Sequence, residues 1–344
     1  MKIFWALVVA RNKEFYRDTT TLGWTFVFPL LVIMGFAFGY SGGSGDLFKV
    51  GVLHTSGKTA SAGLHDFLQT KHIEFVALDD ASPRAQETAI NKLRHHQLDL
   101  LIDTDDAGRY WINSTSSKGS LAEKLMLSSN SGTRATATRQ AVEGRELRYV
   151  EWLVPGILAM NMMFSSLFGV GYTIVRYRKN GVLKRLKATP ASAFQFLTAQ
   201  VLSRLLLILC TNAIVFFGAR LLIRFPMNGS ILAFFTFVAV GAIAMISLGL
   251  IVASRISSEE VAEGVLNVFT WPMMFLSGIW FSLEGASPAI RFISRLFPLT
   301  HIVDGMRAIV IDGATLTSLA PQIGFLAVLS VVFIGVGSVI FKWS

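Results

Sequence analysis

The chain has 344 residues, of which 52% are hydrophobic and only 15% charged. Ordinary globular domains carry about 25% charge, so a large part of this chain is built for lipid rather than water. A net charge of +9 would suit nucleic acid, but membrane proteins collect Lys and Arg on cytoplasmic loops, and topology accounts for the excess without a nucleic-acid partner. The one cysteine, Cys210, excludes an internal disulfide and a cysteine-based metal cage.

In chain order, residues 1–21 are amphipathic, with Phe4, Trp5, Leu7 and Val8 set against Arg11 and Lys13, as in a helix lying at a membrane interface. Apolar runs near 20 residues, enough to cross about 30 Å of hydrocarbon, fall at 22–40, 152–175, 196–219, 231–253, 261–281 and 322–341. Six spanning helices are expected. The first is not a cleavable signal: a basic stretch precedes it, and Phe36-Ala-Phe-Gly-Tyr40 offers no small-x-small site. Lys2, Arg11, Lys13, Arg17, the cluster Arg176–Lys187, Arg255 and Lys342 fall on one side of that topology, so both termini are expected in the cytoplasm and 41–148 outside.

Residues 41–148 then read as a small extracytoplasmic α/β domain inserted between the first two spans. Gly42-Gly-Ser-Gly45 is a flexible joint, and strands at 50–53, 73–78, 98–102 and 110–112 alternate with helices at 59–70, 83–96 and 119–148. Gly51-Val-Leu-His-Thr-Ser-Gly-Lys-Thr59 imitates a phosphate loop, but five residues separate Gly51 from Gly57 where that loop uses four. Val50–Leu53 is better read as a strand entering a turn. His54, His65, His72, His95 and His96 show no ligand spacing, so a solvated surface is expected and no metal. Asn113-Ser-Thr115 matches a glycosylation sequon.

The most informative stretch links the second and third spans. It reads Arg176-Tyr-Arg-Lys-Asn-Gly-Val-Leu-Lys-Arg-Leu-Lys-Ala-Thr-Pro190. Val182, Leu183 and Leu186 share one face of a short helix, Lys184, Arg185 and Lys187 point elsewhere, and Pro190 ends it. Such a helix lies along the cytoplasmic surface, as a headgroup anchor or as a docking element. Within the spans, Arg204 sits at a depth where an arginine costs about 2.5–3.5 kcal/mol. Glu259, Glu263 and Asn267 form a row on the fifth span. Glu263 is expected to face the bundle interior, with Arg204 as its candidate partner. Phe281–Ile311 is too polar for a crossing and too apolar for a free loop, which predicts short re-entrant helices over 283–311.

The motifs together resemble the permease subunits of ABC-2 type (type V) ABC exporters. Arg178-Lys-Asn-Gly-Val-Leu-Lys-Arg-Leu-Lys-Ala-Thr-Pro190 is similar to that family's R-E-x-G-T-L-E-R-L-x-x-T-P. Pro272-Met-Met-Phe-Leu-Ser-Gly-Ile279 is similar to its P-x-x-F-L-S-G-I, continuing through Phe297-Pro-Leu-Thr-His301 and Asp304-Gly-Met-Arg307, and Lys13-Glu-Phe-Tyr-Arg-Asp18 precedes Pro29. The matches cover most of 1–40 and 150–344.

The resemblance implies a membrane permease of the bacterial inner membrane that is not itself an enzyme, moving substrate outward. It implies that ATP and Mg²⁺ are held by a separate ATP-binding-cassette subunit, and that a second permease chain, identical or related, pairs with this one in the lipid. It makes residues 1–21 an elbow helix and 178–190 a coupling helix. The docking role is carried to Gly181, Leu183, Arg185, Leu186, Thr189 and Pro190, with Lys184 among them, and the exit region to Ser277, Gly278, Pro298 and Arg307. Lys179 and Lys184 stand where relatives have glutamate and Val182 where they have threonine, so the partner is expected to present an acidic groove. Two other readings remain at this point: a proton-coupled exporter using Glu263, and a receptor using 41–148 as its ligand module.

Overall fold

The computed structural model describes residues 2–39, 48–53, 67, 73–78, 83–94, 97–103, 109–129, 138–142, 147–189, 192–256, 258–283 and 286–340. The chain divides into two compact units, one of residues 1–40 with 149–344 and one of 41–148.

The smaller unit is built on a sheet of order β2-β1-β3-β4-β5, from β1 (Phe48–Leu53), β2 (Ile73–Leu78), β3 (Leu100–Asp103), β4 (Arg109–Asn113) and β5 (Thr138–Val142). β1 runs parallel to β2 and β3, β4 antiparallel to β3, and β5 parallel to β4. Strand side chains alternate between faces, and both faces are covered. Val50, Leu100, Ile102, Tyr110 and Ile112 pack with Ala122 and Met126 of α4 (Ser117–Ser129). Leu53, Leu101 and Trp111 pack on Ala89 and Leu93 of α3 (Pro83–Arg94).

Gly51–Leu53 of the false phosphate loop lie in β1, while His54–Thr59 and the five histidines lie outside the described residues, as does most of the helix expected at 59–70. The helix expected over 119–148 ends at Ser129, and β5 follows as an edge strand whose first four residues are exposed. The sequon does not survive either. Asn113 is fully buried, and its amide donates to the carbonyls of Leu93 and Arg94 at 3.2 and 3.1 Å. No acceptor nitrogen is left at the surface for a glycan.

Tyr110 donates to Glu123 at 2.8 Å, and Arg139 pairs with the same carboxylate at 2.9 Å. Burial, with the Glu123 carboxylate beside it, pushes the Tyr110 phenol up to about 12. A raised value favours the neutral phenol in the fold. Its contribution to stability is therefore complete below pH 10 and lost as pH rises towards 12. Ultraviolet titration should show one tyrosinate forming near pH 12 that is missing in Tyr110→Phe.

The larger unit is helical: α1 (Lys2–Arg17), α2 (Thr19–Gly39), α5 (Tyr149–Ser166), a π-helical turn (Leu167–Tyr172), α6 (Thr173–Lys179), α7 (Val182–Lys187), α8 (Ala193–Ile223), α9 (Ile231–Arg255), α10 (Glu259–Leu276), α11 (Pro288–Leu296), α12 (Pro298–Val310) and α13 (Ala320–Ile340). Among the described residues four segments are long and apolar enough to cross a membrane: Tyr149–Lys179, Gln195–Ile223, Ile231–Arg255 and Ala320–Gly337. α1 and α2, bent by 62°, add a fifth if they are taken together. The chain is a multi-pass membrane protein. The run expected to span at 261–281 forms only the 18 residues of α10, and these include Glu259, Glu260 and Glu263, too many carboxylates for an unaided crossing. α9 packs against α8, α12, α13 and the π-helical turn.

Candidate functional site: a braced basic turn

α5, the π-helical turn and α6 make one continuous segment of 31 residues, ending in the basic turn. Asn180 and Gly181 reverse the chain, and α7 follows for six residues. Gly181 takes φ 68, in the left-handed region, with nothing within 4 Å of where a Cβ would stand. Backbone conformation, not space, requires glycine here. Gly181→Ala should cost about 1–2 kcal/mol, and Gly181→Asn, which tolerates that region, should recover much of it, as read by thermal unfolding in detergent.

On α7, Leu183 is wholly buried and Val182 and Leu186 half-buried, while Lys184, Arg185, Lys187 and Thr189 are exposed. The expected apolar face is present, and its centre is already used inside the chain. Thr189 closes the helix end, its hydroxyl donating to the Leu186 carbonyl at 2.6 Å. Pro190 lies outside the described residues. α8 then restarts from Ser192, whose hydroxyl accepts from the Gln195 N–H while the Gln195 side chain accepts from the Ser192 N–H, a reciprocal cap.

Two sets of contacts brace α6, the helix that carries the turn. On one side, Glu14 of α1 accepts from Arg11 and Arg176, each at 2.7 Å, and from the Tyr177 hydroxyl. Arg11 also donates to Thr173 at 2.8 Å and to the Gly169 carbonyl at 3.0 Å. On the other side, the buried Arg178 donates to the carbonyls of Ala253 at 3.0 Å, Ser254 at 3.1 Å and Ile256. These are the closing carbonyls of α9, which have no partner within their own helix. Tyr172 donates to Glu259 at 2.6 Å, and Lys179 lies 3.5 Å from Glu259 and 3.9 Å from Glu260.

These contacts bear on two expectations. Lys179 pairs within the chain with Glu259 and Glu260, whereas Lys184 is exposed on α7. Arg204 does not meet Glu263. It is buried on α8, its Nε donating to the Ser165 carbonyl at 2.5 Å, with its guanidinium 5.8 Å from the Phe15 ring. Glu263 is exposed on α10, with Asn267 half-buried one turn on. The i, i+4 spacing was correctly read, but the side of the helix that faces inward belongs to Ala262, Leu266 and Thr270.

At the other end of the 31-residue segment, about 40 Å away at 1.5 Å per residue, lie the residues expected to form an exit region. Thr300 donates to the buried Ser277 at 3.1 Å, Gly278 turns the chain after α10, and Pro298 occupies the first turn of α12. Arg307 of α12 stacks on Trp152 and donates to the Trp152 and Ile279 carbonyls at 3.1 and 3.2 Å. Among the described residues no cluster of His, Cys, Asp and Glu could hold a metal ion.

A family model described as ABC-2 family transporter protein matches residues 20–339, nearly the whole chain. The chain belongs to the ABC-2 transporter family. Similar proteins include the probable multidrug ABC transporter permease YbhR of Escherichia coli K12, 22% identical over 170 residues, which are 49% of this chain and 46% of that protein. The linearmycin resistance permease protein LnrN of Bacillus subtilis is 23% identical over 205 residues, 58% of this chain and 52% of that protein. ABC transporter G family member 20 of Dictyostelium discoideum is 25% identical over 185 residues, 53% of this chain and 25% of that protein. The chain thus spans about half the length of the first two. No solved structure matches it.

Arg11, Glu14, Tyr172 and Arg178 were not singled out from the sequence as a brace. Glu14 stands inside the quoted Lys13–Asp18 motif, which was the available signal. Arg178 heads the quoted Arg178–Pro190 motif, but its partners are backbone carbonyls, which residue order does not reveal.

Proposed function

We propose that this chain is the permease subunit of an ABC exporter, moving substrate outward on ATP hydrolysed by a separate subunit. Six segments cross the membrane, α10 making the additional crossing alongside a second permease chain that shields its carboxylate-bearing face. Both termini lie in the cytoplasm and 41–148 lies outside. ATP and Mg²⁺ belong to the partner, and this chain binds neither. The observation that carries the reading is the braced turn. An exposed basic helix stands at the end of a segment long enough to cross the bilayer, tied by Glu14 to α1 and by Arg178 and Lys179 to the α9–α10 corner. A push on α7 therefore reaches α1, α5, α9 and α10 together. The ATP-binding subunit grips Leu186 and the cations Lys184, Arg185 and Lys187.

Leu186 is the residue to test, because it is half-buried while Leu183 is needed inside the fold. Co-expressed with its ATP-binding-cassette subunit, the wild-type chain should retain that subunit through purification. Leu186→Asp should lower retention at least tenfold, about 1.4 kcal/mol, with unchanged thermal unfolding. Equal retention, or full transport in liposomes without ATP, would reject the reading.

A further inference from the structure

A cavity of about 770 Å³ lies between α1, α2, α5 with its π-helical turn, the start of α6, and α8. Its chemistry changes along its length. Measured on the α5–α6 segment, it runs from Met160 to Arg176, about 24 Å at 1.5 Å per residue. The half nearest the basic turn is cationic: Arg11, Arg17, Arg176 and Arg204 stand against Glu14 and Asp18, a net charge of +2. The other half is mainly apolar, walled by Phe28, Pro29, Met160 and Phe164 with Trp24 at its mouth, and the Asn161 amide there donates to the Thr25 carbonyl. Trp24 and Phe28 are 65% and 42% exposed, so this end is open at the side of the bundle.

Arg204 is the focus of the cationic half. Among the described residues no carboxylate pairs with it; its contacts are one carbonyl and one ring. Its guanidinium lies flat on Gly169, so close that a Cβ there would stand 1.9 Å from the guanidinium carbon. Arg11 donates to the carbonyl of the same glycine. Two guanidinium groups thus converge on one residue of a π-helical turn, a distortion found often at functional positions. Glu14, the nearby carboxylate, is already shared by Arg11 and Arg176. A buried cation without a counter-charge costs several kcal/mol, and an anion in the cavity removes that cost.

We propose that this cavity binds an anionic phospholipid, its phosphate on Arg204 with Arg11 and Arg17, and an acyl chain along Phe164, Phe28 and Trp24. The phosphate accounts for the converging arginines, and the chain accounts for the apolar half and the open side, which a free phosphate leaves unused. Such a lipid would brace α1 against α8 and so steady the base of the coupling segment. This proposal needs only that the chain sits in a bilayer, so it stands or falls apart from the exporter reading.

The test is lipid retention by the full-length chain, purified in mild detergent and exposed to equimolar phosphatidylglycerol and phosphatidylcholine, read by native mass spectrometry. Phosphatidylglycerol should be retained about tenfold more than phosphatidylcholine, and 10 mM inorganic phosphate should not displace it. Arg204→Gln should cut that preference at least fivefold. Arg17→Gln, at an exposed position on the rim, should cut it by two- to threefold and serves if Arg204→Gln fails to fold. Equal retention of the two lipids, or an unchanged preference in the folded variants, overturns the proposal. Displacement by inorganic phosphate overturns it in favour of a free anion.

Discussion

Replacing Arg178 with methionine should destabilise the chain by about 3 kcal/mol or more, the largest loss expected from any residue around the basic turn. The guanidinium is buried and satisfies the carbonyls of Ala253, Ser254 and Ile256. Methionine fills similar space but leaves those acceptors dry, and each buried acceptor without a donor costs about 1–3 kcal/mol. Lysine keeps the charge but not the planar fork that reaches three oxygens, so Arg178→Lys should recover less than half. Thermal unfolding in detergent reads both. The functional consequence separates from Leu186→Asp. Arg178→Met leaves the exposed face of α7 intact, so the ATP-binding subunit should still be retained while transport per ATP falls. If Arg178→Met unfolds like the wild type, the α9 cap is not what holds the turn.

The spans were legible because burial in lipid demands long uninterrupted apolar runs, and α8, α9 and α13 form over the runs at 196–219, 231–253 and 322–341. The run at 261–281 is less plain, because its apolar content is real but its helix opens on Glu259 and Glu260 and stops at Leu276. In the smaller unit, β1 to β4 announce themselves by apolar residues facing two covered layers. β5 does not, since Thr138-Arg-Gln-Ala-Val142 is an edge strand held by backbone pairing to β4. The same distinction applies at the site. The short helix with Leu183 and Leu186 was visible as spacing, whereas the brace depends on carbonyls at a helix end and the cavity on a glycine lacking a Cβ under Arg204. Neither has a signature in residue order. The misplaced Arg204–Glu263 pair has the same origin. Opposite charges at similar depth suggested contact, but the rotation of α10 about its axis is set by Ala262, Leu266 and Thr270 packing inward.

Arg307→Met should cost about 3 kcal/mol, and at the end of the bundle remote from the basic turn. The guanidinium stands 3.5 Å from the centre of the Trp152 ring and donates to two carbonyls, Trp152 from Nε and Ile279 from Nη2. A desolvated cation over a tryptophan is worth about 2 kcal/mol, and charged hydrogen bonds contribute about 1.5–3 kcal/mol each, with overlap between the two terms. The contact ties α12 to the start of α5 and to the turn after α10, so it sets the spacing of the segment that carries Ser277 and Gly278. Arg291, exposed on α11, provides the comparison: Arg291→Met should stay within about 0.5 kcal/mol of wild type. Because Arg307 also meets backbone, the ring's share needs a double-mutant cycle with Trp152→Leu. A coupling of about 1 kcal/mol or more is expected for groups in direct contact. Additive losses would mean that the carbonyls alone hold Arg307 and that the indole merely lies beside it.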